Sequence, residues 1–184
     1  AVMSGKANKL DGIYSKFAIA IGKSSSKNQT KEIIRTKLCA CLNPLIPTEE
    51  QFVEQFVTLC FTKKATAANM KCKYALQKFN CYYQHKEIFE ADSSIEHILP
   101  ECKDGDVNNI GNLIILEGNL NTEASNKSYA EKLEIYKKSN YKWVKEFVAK
   151  YSKWTEDMIG NRARNMATLF YDKILGFKNQ TYRR

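Results

Sequence analysis

The segment from residue 94 to residue 127 interrupts a chain whose apolar residues otherwise follow a helical spacing. Two short apolar runs, at residues 94–99 and 113–116, are separated by a loop rich in glycine, aspartate and asparagine. This pattern predicts two antiparallel strands joined by a long loop. A helix is expected to begin between Gly118 and Asn121. The chain must therefore place a hairpin and a helix among helices, which restricts its possible folds more than any other feature.

Apolar stripes predict the helices on either side of this hairpin-helix motif. The first half carries stripes over residues 7–22, 29–42 and 66–83, and a capping box at residues 48–51 opens another helix. Later helices are predicted at residues 128–138, 141–151 and 155–175, with Thr155 as the cap of the last one. The predicted fold is mainly α with a small hairpin-helix motif, in the α+β class.

A chain of 184 residues can form one good core, or a small core with a docked helical segment. We predict a helical segment over residues 1–90 that packs on the core, the motif over 91–130, C-terminal helices of the same unit over 131–176, and a flexible tail over 177–184. No apolar run approaches the roughly 20 residues needed to cross a bilayer. The start also lacks the order of a signal peptide, so we expect a cytoplasmic protein with no membrane partner.

The net charge of +9 is distributed unevenly along the chain. Residues 1–89 and residues 127–184 each carry 14 basic and 6 acidic residues, a net charge of +8, whereas residues 90–126 carry 1 and 8, a net charge of −7. The basic flanks predict a polyanion-binding surface. The acidic centre would repel phosphate unless a cation lay there, so we expect a metal ion in the motif.

The six cysteines include no Cys-x-x-Cys pair. Cys39 and Cys41 lie in an apolar helical run, where an unmodified cysteine behaves as a small hydrophobic residue. We therefore predict buried thiols, with structural zinc and a redox role as the alternatives.

Glu96 and His97 place a carboxylate beside one of only two histidines in the chain. Phosphodiester hydrolysis needs a water nucleophile, a base for its proton and positive charge near the scissile phosphate. His97 could be the base, and the side-chain oxygens of Glu96 and Asn121 suit Mg²⁺ or Mn²⁺. Neighbours in a strand point to opposite faces, but at a strand end they can diverge, one toward metal and one toward water. The other histidine, His85, is predicted to lie at the surface or at a helix end.

Other polar residues are candidates for supporting roles. Asn112 precedes the second predicted strand, where its amide can tie the loop backbone near the histidine, so we interpret it as an orienting residue of the catalytic site. Lys127 should lie about two turns into the following helix and could meet a phosphate. Basic residues of the late helices are further candidates for DNA contacts, although Arg162 could instead cap or brace the core. These residues are Lys142, Lys145, Arg162 and Arg164.

Together these residues resemble the HNH, or ββα-metal, endonucleases. The resemblance is specifically to the C-terminal nuclease domain of the GmrSD-type modification-dependent restriction proteins and their SspE-like phage-defence relatives. It spans residues 45–170 and rests on Ile-Glu-His-Ile-Leu-Pro, Ile-Gly-Asn-Leu, Leu-Asn and Ser-Asn-Lys, followed by Trp154, Ile159 and Arg162.

The resemblance implies that His97 is the general base, that Glu96 and Asn121 lie near the metal, and that Asn112 organises the site. Many HNH sites use a histidine as the last metal ligand, but no histidine follows His97, so Asn121 or Asn126 must serve. The zinc-binding Cys-x-x-Cys knuckles of many HNH domains are also absent from the sequence. Oxygen ligands favour Mg²⁺ or Mn²⁺ over softer metals.

The implied activity is nicking or cleavage of double-stranded DNA of phage, modified or other foreign origin by a bacterial restriction or anti-phage defence protein. Full-length relatives carry an N-terminal nucleotide-hydrolysing sensor domain, the expected partner, and this sequence shows no Gly-rich phosphate loop. The alternative is a non-catalytic DNA-binding module with a degenerate HNH motif, and a third hypothesis is an all-helical protein-interaction domain. The DNA-binding alternative relies on the net charge of +8 on each flank, together with charged and aromatic residues that lie close together in the late helices. These residues are Lys142, Trp143, Lys145, Lys153 and Trp154.

Overall fold

The computed structural model describes residues 7–62, 67–89, 91–100 and 106–178, with side chains from residue 10 onward except those of residues 67 and 68. Helices precede and follow one hairpin. In chain order the elements are α1 (Ala7–Gly22), α2 (Lys27–Glu32), a π-helical segment (Ile33–Leu38), α3 (Cys39–Leu42), a 3-10 turn (Asn43–Leu45), α4 (Glu49–Phe56), α5 (Ala67–Gln84), β1 (Ser93–His97), 3-10 turns (Asp106–Asn108 and Ile110–Asn112), β2 (Leu113–Glu117), α6 (Gly118–Ala124), α7 (Tyr129–Tyr136), α8 (Lys142–Lys150), α9 (Asp157–Leu169) and a final π-helical segment (Phe170–Ile174).

The two strands form the predicted antiparallel hairpin. Ser93 pairs with Glu117 at one end and His97 pairs with Leu113 at the other. Helix α6 follows β2 without a linker, so the predicted strand-loop-strand-helix order is confirmed. Strand β1 ends at His97 instead of continuing to residue 99. Residues 101–105 of the connecting loop lie outside the described residues. The fold is mainly α, in the α+β class.

Strand β2 lies at the centre of the main hydrophobic core. Its residues Leu113 to Leu116 are all buried, because α5 and α8 also contact this strand. A strand covered on both faces has no need of polar alternation, which explains the continuous apolar run in the sequence. Aromatic rings fill the space around it, with Phe56 and Phe170 at a centroid distance of 5.4 Å. The core therefore fixes the hairpin from several directions.

The N-terminal helices contribute less to this core than their sequence stripes indicate. Phe17 and Ile33 are buried, but neither belongs to the main cluster, which begins at Phe52. Tyr14, which belongs to the predicted buried stripe, is exposed, and so is its neighbour Ile19 outside the stripe. The part of the predicted 1–90 segment that joins the main core is therefore its C-terminal half.

Several helix starts follow from local hydrogen bonds. Thr48 and Gln51 form the predicted capping box of α4, and Ser128 and Glu131 form a second one at the start of α7. The predicted cap of the last helix is wrong. Helix α9 begins after Glu156, one residue beyond Thr155, and Glu156 makes no capping hydrogen bond with its side chain.

The cysteine prediction holds only in part. Cys72 and Cys81 are buried thiols, Cys39 and Cys60 are half-buried, and Cys41 is exposed, so the prediction is wrong for Cys41. Burial, and next the nearby Cys60, raises the pKa of Cys72 to about 12. Such a thiol stays protonated at neutral pH and is a poor metal ligand. Cys102 lies outside the described residues.

The C-terminal end of the described chain packs on the core. The Phe177 ring lies 5.3 Å from the Tyr171 ring, and Lys178 forms an ion pair with Glu49 at 3.0 Å. The rest of the predicted tail, residues 179–184, lies outside the described residues. Within the described ranges, no helix has both the length and the apolar character that crossing a membrane requires.

Candidate active site

His97 is the last residue of β1 and lies beside the chain that precedes α5. Its Nε2 atom is 3.2 Å from the carbonyl oxygen of Phe61. Because a carbonyl can only accept, Nε2 carries the ring proton and Nδ1 is left as an acceptor. In the neutral form of this half-buried imidazole, Nδ1 is therefore the nitrogen that can accept a proton. The other histidine, His85, is exposed one residue beyond α5, as predicted.

Asn112 ties together the loop that follows His97. Its side chain is fully buried, and Oδ1 accepts hydrogen bonds from the Leu99 amide at 2.9 Å and the Trp154 indole at 3.0 Å. Nδ2 donates to the carbonyls of Leu99 at 2.9 Å and Val107 at 2.7 Å. The amide thus uses both of its polar atoms twice. This placement suits the orienting role expected from the sequence, which stays a prediction.

Arg162 fixes the same turn from the opposite side. Its Nη1 donates to the carbonyl oxygens of Gly111 at 2.7 Å and Leu113 at 2.8 Å, the residues on either side of Asn112. Only 5% of Arg162 is exposed, so the prediction that it contacts DNA phosphate is wrong. The alternative that it braces the core is what the structure shows. A surface position was expected for Arg162 because it is charged and lies in a helix that flanks the motif. In the fold, Arg162 instead donates to two buried carbonyls, which need a donor.

Aromatic rings surround the buried Arg162 guanidinium. Its central carbon lies 5.6 Å from the Trp143 ring, 5.0 Å from the Phe147 ring and 5.8 Å from the Trp154 ring. Nη2 has no hydrogen-bond partner among the described residues, and these ring faces are its available acceptors. Burial lowers the pKa of Arg162 to about 10, which still leaves it charged at neutral pH.

Gly111 allows helix α9 to approach the turn closely. A Cβ atom at Gly111 would lie 2.1 Å from the carbonyl oxygen of Ile159 and 3.1 Å from the Cβ of Ala163. No side chain larger than hydrogen fits there without moving backbone. The turn that carries Asn112 is therefore in direct contact with α9.

Glu96 is buried and paired with a lysine that was not expected at the site. Its Oε1 accepts hydrogen bonds from Lys132 Nζ at 2.6 Å and from the Tyr136 hydroxyl at 2.9 Å. Lys132 Nζ also donates to the His97 carbonyl at 2.6 Å. Glu96 is 4% exposed and Lys132 is 1% exposed. All hydrogen bonds from the described residues fall on Oε1, so Glu96 Oε2 keeps an open acceptor position.

Tyr136 remains a hydrogen-bond donor to Glu96 over a wide pH range. Burial raises the pKa of its hydroxyl well above the ordinary tyrosine value, and the Glu96 charge and hydrogen bond raise it further. A neutral hydroxyl and an ammonium therefore hold one carboxylate oxygen together.

The burial of Lys132 could have been inferred from the sequence, although it was not among the predicted site residues. Lys132, Ile135 and Tyr136 share one face of α7, at the i, i+3 and i+4 spacing of a buried stripe. A lysine on the buried face of a helix requires an internal partner, usually a carboxylate.

Asn121 lies on α6 and contacts β1. Its Nδ2 donates to Ser94 Oγ at 3.2 Å, and its Oδ1 is buried without a hydrogen-bond partner among the described residues. Ser94 and Glu96 are two residues apart in β1, so they share one face of the strand. Asn121 Oδ1 and Glu96 Oε2 therefore both lack a donor among the described residues, and Asn121 contacts the same strand face that carries Glu96. Hard oxygen acceptors of this kind fit Mg²⁺ or Mn²⁺.

The metal-ligand chemistry of this face is sparse. Nowhere in the described ranges do three His, Cys, Asp or Glu side chains cluster closely enough to hold a metal ion. A cation there would rely on one carboxylate and one amide, with water or phosphate oxygens completing its coordination. His97, one residue beyond Glu96, belongs to the other face of β1. The Lys132 ammonium contacts both residues, through the Glu96 carboxylate and the backbone carbonyl of His97.

Asn126 and Lys127 lie outside the helix expected to carry them. Helix α6 ends at Ala124, and Ser125 adopts a positive φ of 43°. The prediction that Lys127 lies two turns into a helix is therefore wrong. Lys127 is exposed in the linker before α7, and its Nζ donates to the Glu123 carbonyl at 2.5 Å. Asn126 is also exposed, so Asn121 is the better placed of the two candidate ligands.

The remaining basic candidates lie on the surface. Lys142, Lys145 and Arg164 are exposed, and none forms an ion pair with another described residue. Trp143 and Trp154 are buried, so they are not available for stacking on bases as the DNA-binding alternative required.

A comparison with protein families places this chain in one of them. Residues 46–169 match the GmrSD restriction endonucleases, C-terminal domain. A comparison with curated proteins found no match. The matched range runs from just before α4 to the end of α9, and so includes the hairpin, α6 and the Arg162 brace. Because it covers more than half of the sequence, the chain belongs to the family of GmrSD restriction endonuclease C-terminal domains.

Proposed function

We propose that this domain is a metal-dependent HNH endonuclease that hydrolyses phosphodiester bonds in double-stranded DNA. The observation that carries the proposal is the contact of His97 Nε2 with the Phe61 carbonyl at 3.2 Å, which leaves Nδ1 as the ring nitrogen that can accept a proton. A base at the end of a hairpin, followed by a helix with an unpartnered amide oxygen, matches the needs of hydrolysis. Family membership supports a restriction-type nuclease.

His97 would take the proton of the attacking water. Nδ1 accepts the proton, and the resulting imidazolium keeps its Nε2 hydrogen bond to the Phe61 carbonyl. Asn112 keeps the residues after His97 in place, and Arg162 keeps Asn112 in place. A base that is held in this way loses little freedom on reaching the transition state.

Glu96 Oε2 and Asn121 Oδ1 would hold Mg²⁺ or Mn²⁺, and Asn126 is the less favourable candidate ligand. When bound, the ion supplies positive charge against the scissile phosphate and the leaving oxygen. Lys127, Lys142, Lys145 and Arg164 are exposed and would contact phosphates along the duplex. Such contacts position DNA without reading its sequence.

The biological setting is part of the same proposal. The domain would act in the bacterial cytoplasm on phage DNA or on other modified or foreign DNA, as the effector of a restriction or anti-phage defence protein. The N-terminal nucleotide-hydrolysing sensor domain of the full-length protein would be its partner and would supply the control.

A plasmid assay tests the catalytic proposal against the non-catalytic alternative. Supercoiled plasmid incubated with the wild-type protein should be nicked or cut in Mg²⁺ or Mn²⁺ and left intact in excess EDTA. Binding to a labelled duplex, measured by fluorescence anisotropy at several salt concentrations, should weaken as salt rises. Salt-sensitive binding without any cleavage, in either metal, would establish the degenerate-motif alternative. No binding at low salt would favour the protein-interaction hypothesis.

A further inference from the structure

The candidate metal face carries no net charge. Glu96 contributes one negative charge, and the Lys132 ammonium, 2.6 Å from its Oε1, contributes one positive charge. Asn121 and Ser94 are neutral. Both partners of the ion pair are buried, so water and salt screen this neutralisation only weakly.

A neutral face is a poor trap for a divalent cation. Protein affinity for such ions depends on the number of negative ligands, and Mg²⁺ typically combines one or two carboxylates with phosphate oxygens of the substrate. In the described part of the chain, Glu96 belongs to no group of three or more His, Cys, Asp or Glu side chains that could hold a metal ion. Because the described residues around Glu96 supply no further negative charge, a bound phosphate is the source that we consider for it.

We infer that Lys132 is a positioning residue that makes metal binding depend on DNA. Lys132 donates to Glu96 Oε1 and to the His97 carbonyl, which leaves Glu96 Oε2 as the open acceptor. Its positive charge also neutralises the Glu96 carboxylate, which would otherwise attract a cation in the absence of DNA. The cation then binds together with a DNA phosphate, whose charge replaces the one that Lys132 neutralises. This inference rests on the proposed function, because it assigns Glu96 and Asn121 to the same metal site.

The consequence is a nuclease site that assembles only on its substrate. Without DNA, the Lys132 ammonium occupies the carboxylate and the site remains without a tightly held cation. With DNA, the phosphate and the cation stabilise each other, so each raises the affinity of the protein for the other by the same factor.

Direct titration with Mn²⁺ tests this dependence without relying on cleavage. The free ion is measured by electron paramagnetic resonance, in protein carrying His97→Ala so that the duplex stays intact. Titrations are made without DNA and with a short duplex, and binding of Mn²⁺ to the duplex alone is subtracted. We expect the duplex to raise the affinity for Mn²⁺ at least about tenfold. Asn121→Ala should remove this DNA-dependent binding.

Three substitutions separate the charge of Lys132 from its structural contribution. Lys132→Met should raise the affinity for Mn²⁺ in the absence of DNA by about tenfold or more, because it removes the positive charge beside the Glu96 carboxylate. Tyr136→Phe removes a neutral donor from the same oxygen and should keep the DNA dependence. Lys138→Met is the control: it breaks an exposed ion pair in which Lys138 Nζ lies 2.6 Å from Glu123 Oε1. It should change the affinity for Mn²⁺ neither with DNA nor without it.

Opposite outcomes overturn the inference. Equal affinity with and without DNA contradicts it, as does a folded Lys132→Met protein that binds Mn²⁺ no better than the wild type. If Lys132→Met does not fold, the Mn²⁺ affinities with and without DNA still test the inference. Loss of the DNA dependence in Tyr136→Phe would contradict it, because it would show that the geometry around Glu96 sets the affinity and not the charge of Lys132. Plasmid cleavage with DNA-independent Mn²⁺ binding would refute only this inference. DNA-dependent Mn²⁺ binding without cleavage would refute only the catalytic proposal.

Discussion

Truncation of Asn112 should destabilise the fold more than truncation of any exposed asparagine. In Asn112→Ala the backbone groups of Leu99, the carbonyl of Val107 and the indole of Trp154 lose four hydrogen bonds inside the core. Each buried group left unpaired costs about 1–3 kcal/mol, and water entering the space would satisfy some of them. We therefore expect the free energy of unfolding to fall by about 3–6 kcal/mol.

Urea denaturation followed by circular dichroism measures this loss. With a slope of about 2 kcal/mol per molar urea, the midpoint should fall by roughly 1.5–3 M. Asn108→Ala is the matched control, because Asn108 lies in the same loop and its Oδ1 has no hydrogen-bond partner among the described residues. Its midpoint should change by less than about 0.5 M. Equal midpoints for Asn112→Ala and Asn108→Ala would refute the claim that the Asn112 amide holds the loop.

Three further predictions follow from other contacts of the same site. Arg162→Met should lower the free energy of unfolding by about 2–4 kcal/mol in urea, because two buried carbonyls lose their donor, whereas Arg164→Met should change it little and weaken DNA binding in anisotropy. Gly111→Ala should destabilise by several kcal/mol or prevent folding because its Cβ would meet backbone at 2.1 Å, whereas Gly160→Ala, with open space around it, should stabilise α9 by about 0.5–1 kcal/mol. Burial raises the pKa of the Tyr136 hydroxyl, so its contribution to the free energy of unfolding is complete below the unfolded-state pKa of about 10 and is lost as the pH rises from there toward the folded-state pKa. The free energy of unfolding of Tyr136→Phe should therefore fall less steeply at alkaline pH, by at most about 1.4 kcal/mol per pH unit.

The sequence predicted the elements that depend on local patterns. The hairpin, the start of α6 and the capping box at Thr48 depend on spacing and turn chemistry, which neighbouring residues determine. Asn112 could be assigned to the loop near His97 for the same reason, since it immediately precedes β2.

Features that depend on tertiary contacts could not be predicted in this way. Arg162 and Trp154 lie far along the chain from the turn that they hold, and an arginine in an amphipathic helix usually faces solvent. Arg162 donates to the carbonyls on either side of Asn112, and Trp154 donates to the side-chain oxygen of Asn112. The sequence does not show which backbone groups the folded core leaves without a donor.

The end of α6 was misplaced because the usual stop signal is missing. Helices often end with a glycine in the left-handed region, whereas here Ser125 ends the helix with a positive φ of 43° and a ψ of −136°, outside that region. A serine is compatible with continuing the helix, so the pattern extended the helix to Lys127. The same early end removes Asn126 from the helix face that carries Asn121.

The most direct test of the central claim is a comparison of the chain's two histidines in the plasmid assay. His97→Ala should lose nicking of supercoiled plasmid in Mg²⁺ or Mn²⁺ by about 10²-fold or more, because the base is removed. His85→Ala, the control at an exposed helix end, should cleave like the wild type. Both variants should keep the wild-type circular dichroism spectrum. Undiminished cleavage by a folded His97→Ala protein would contradict the account.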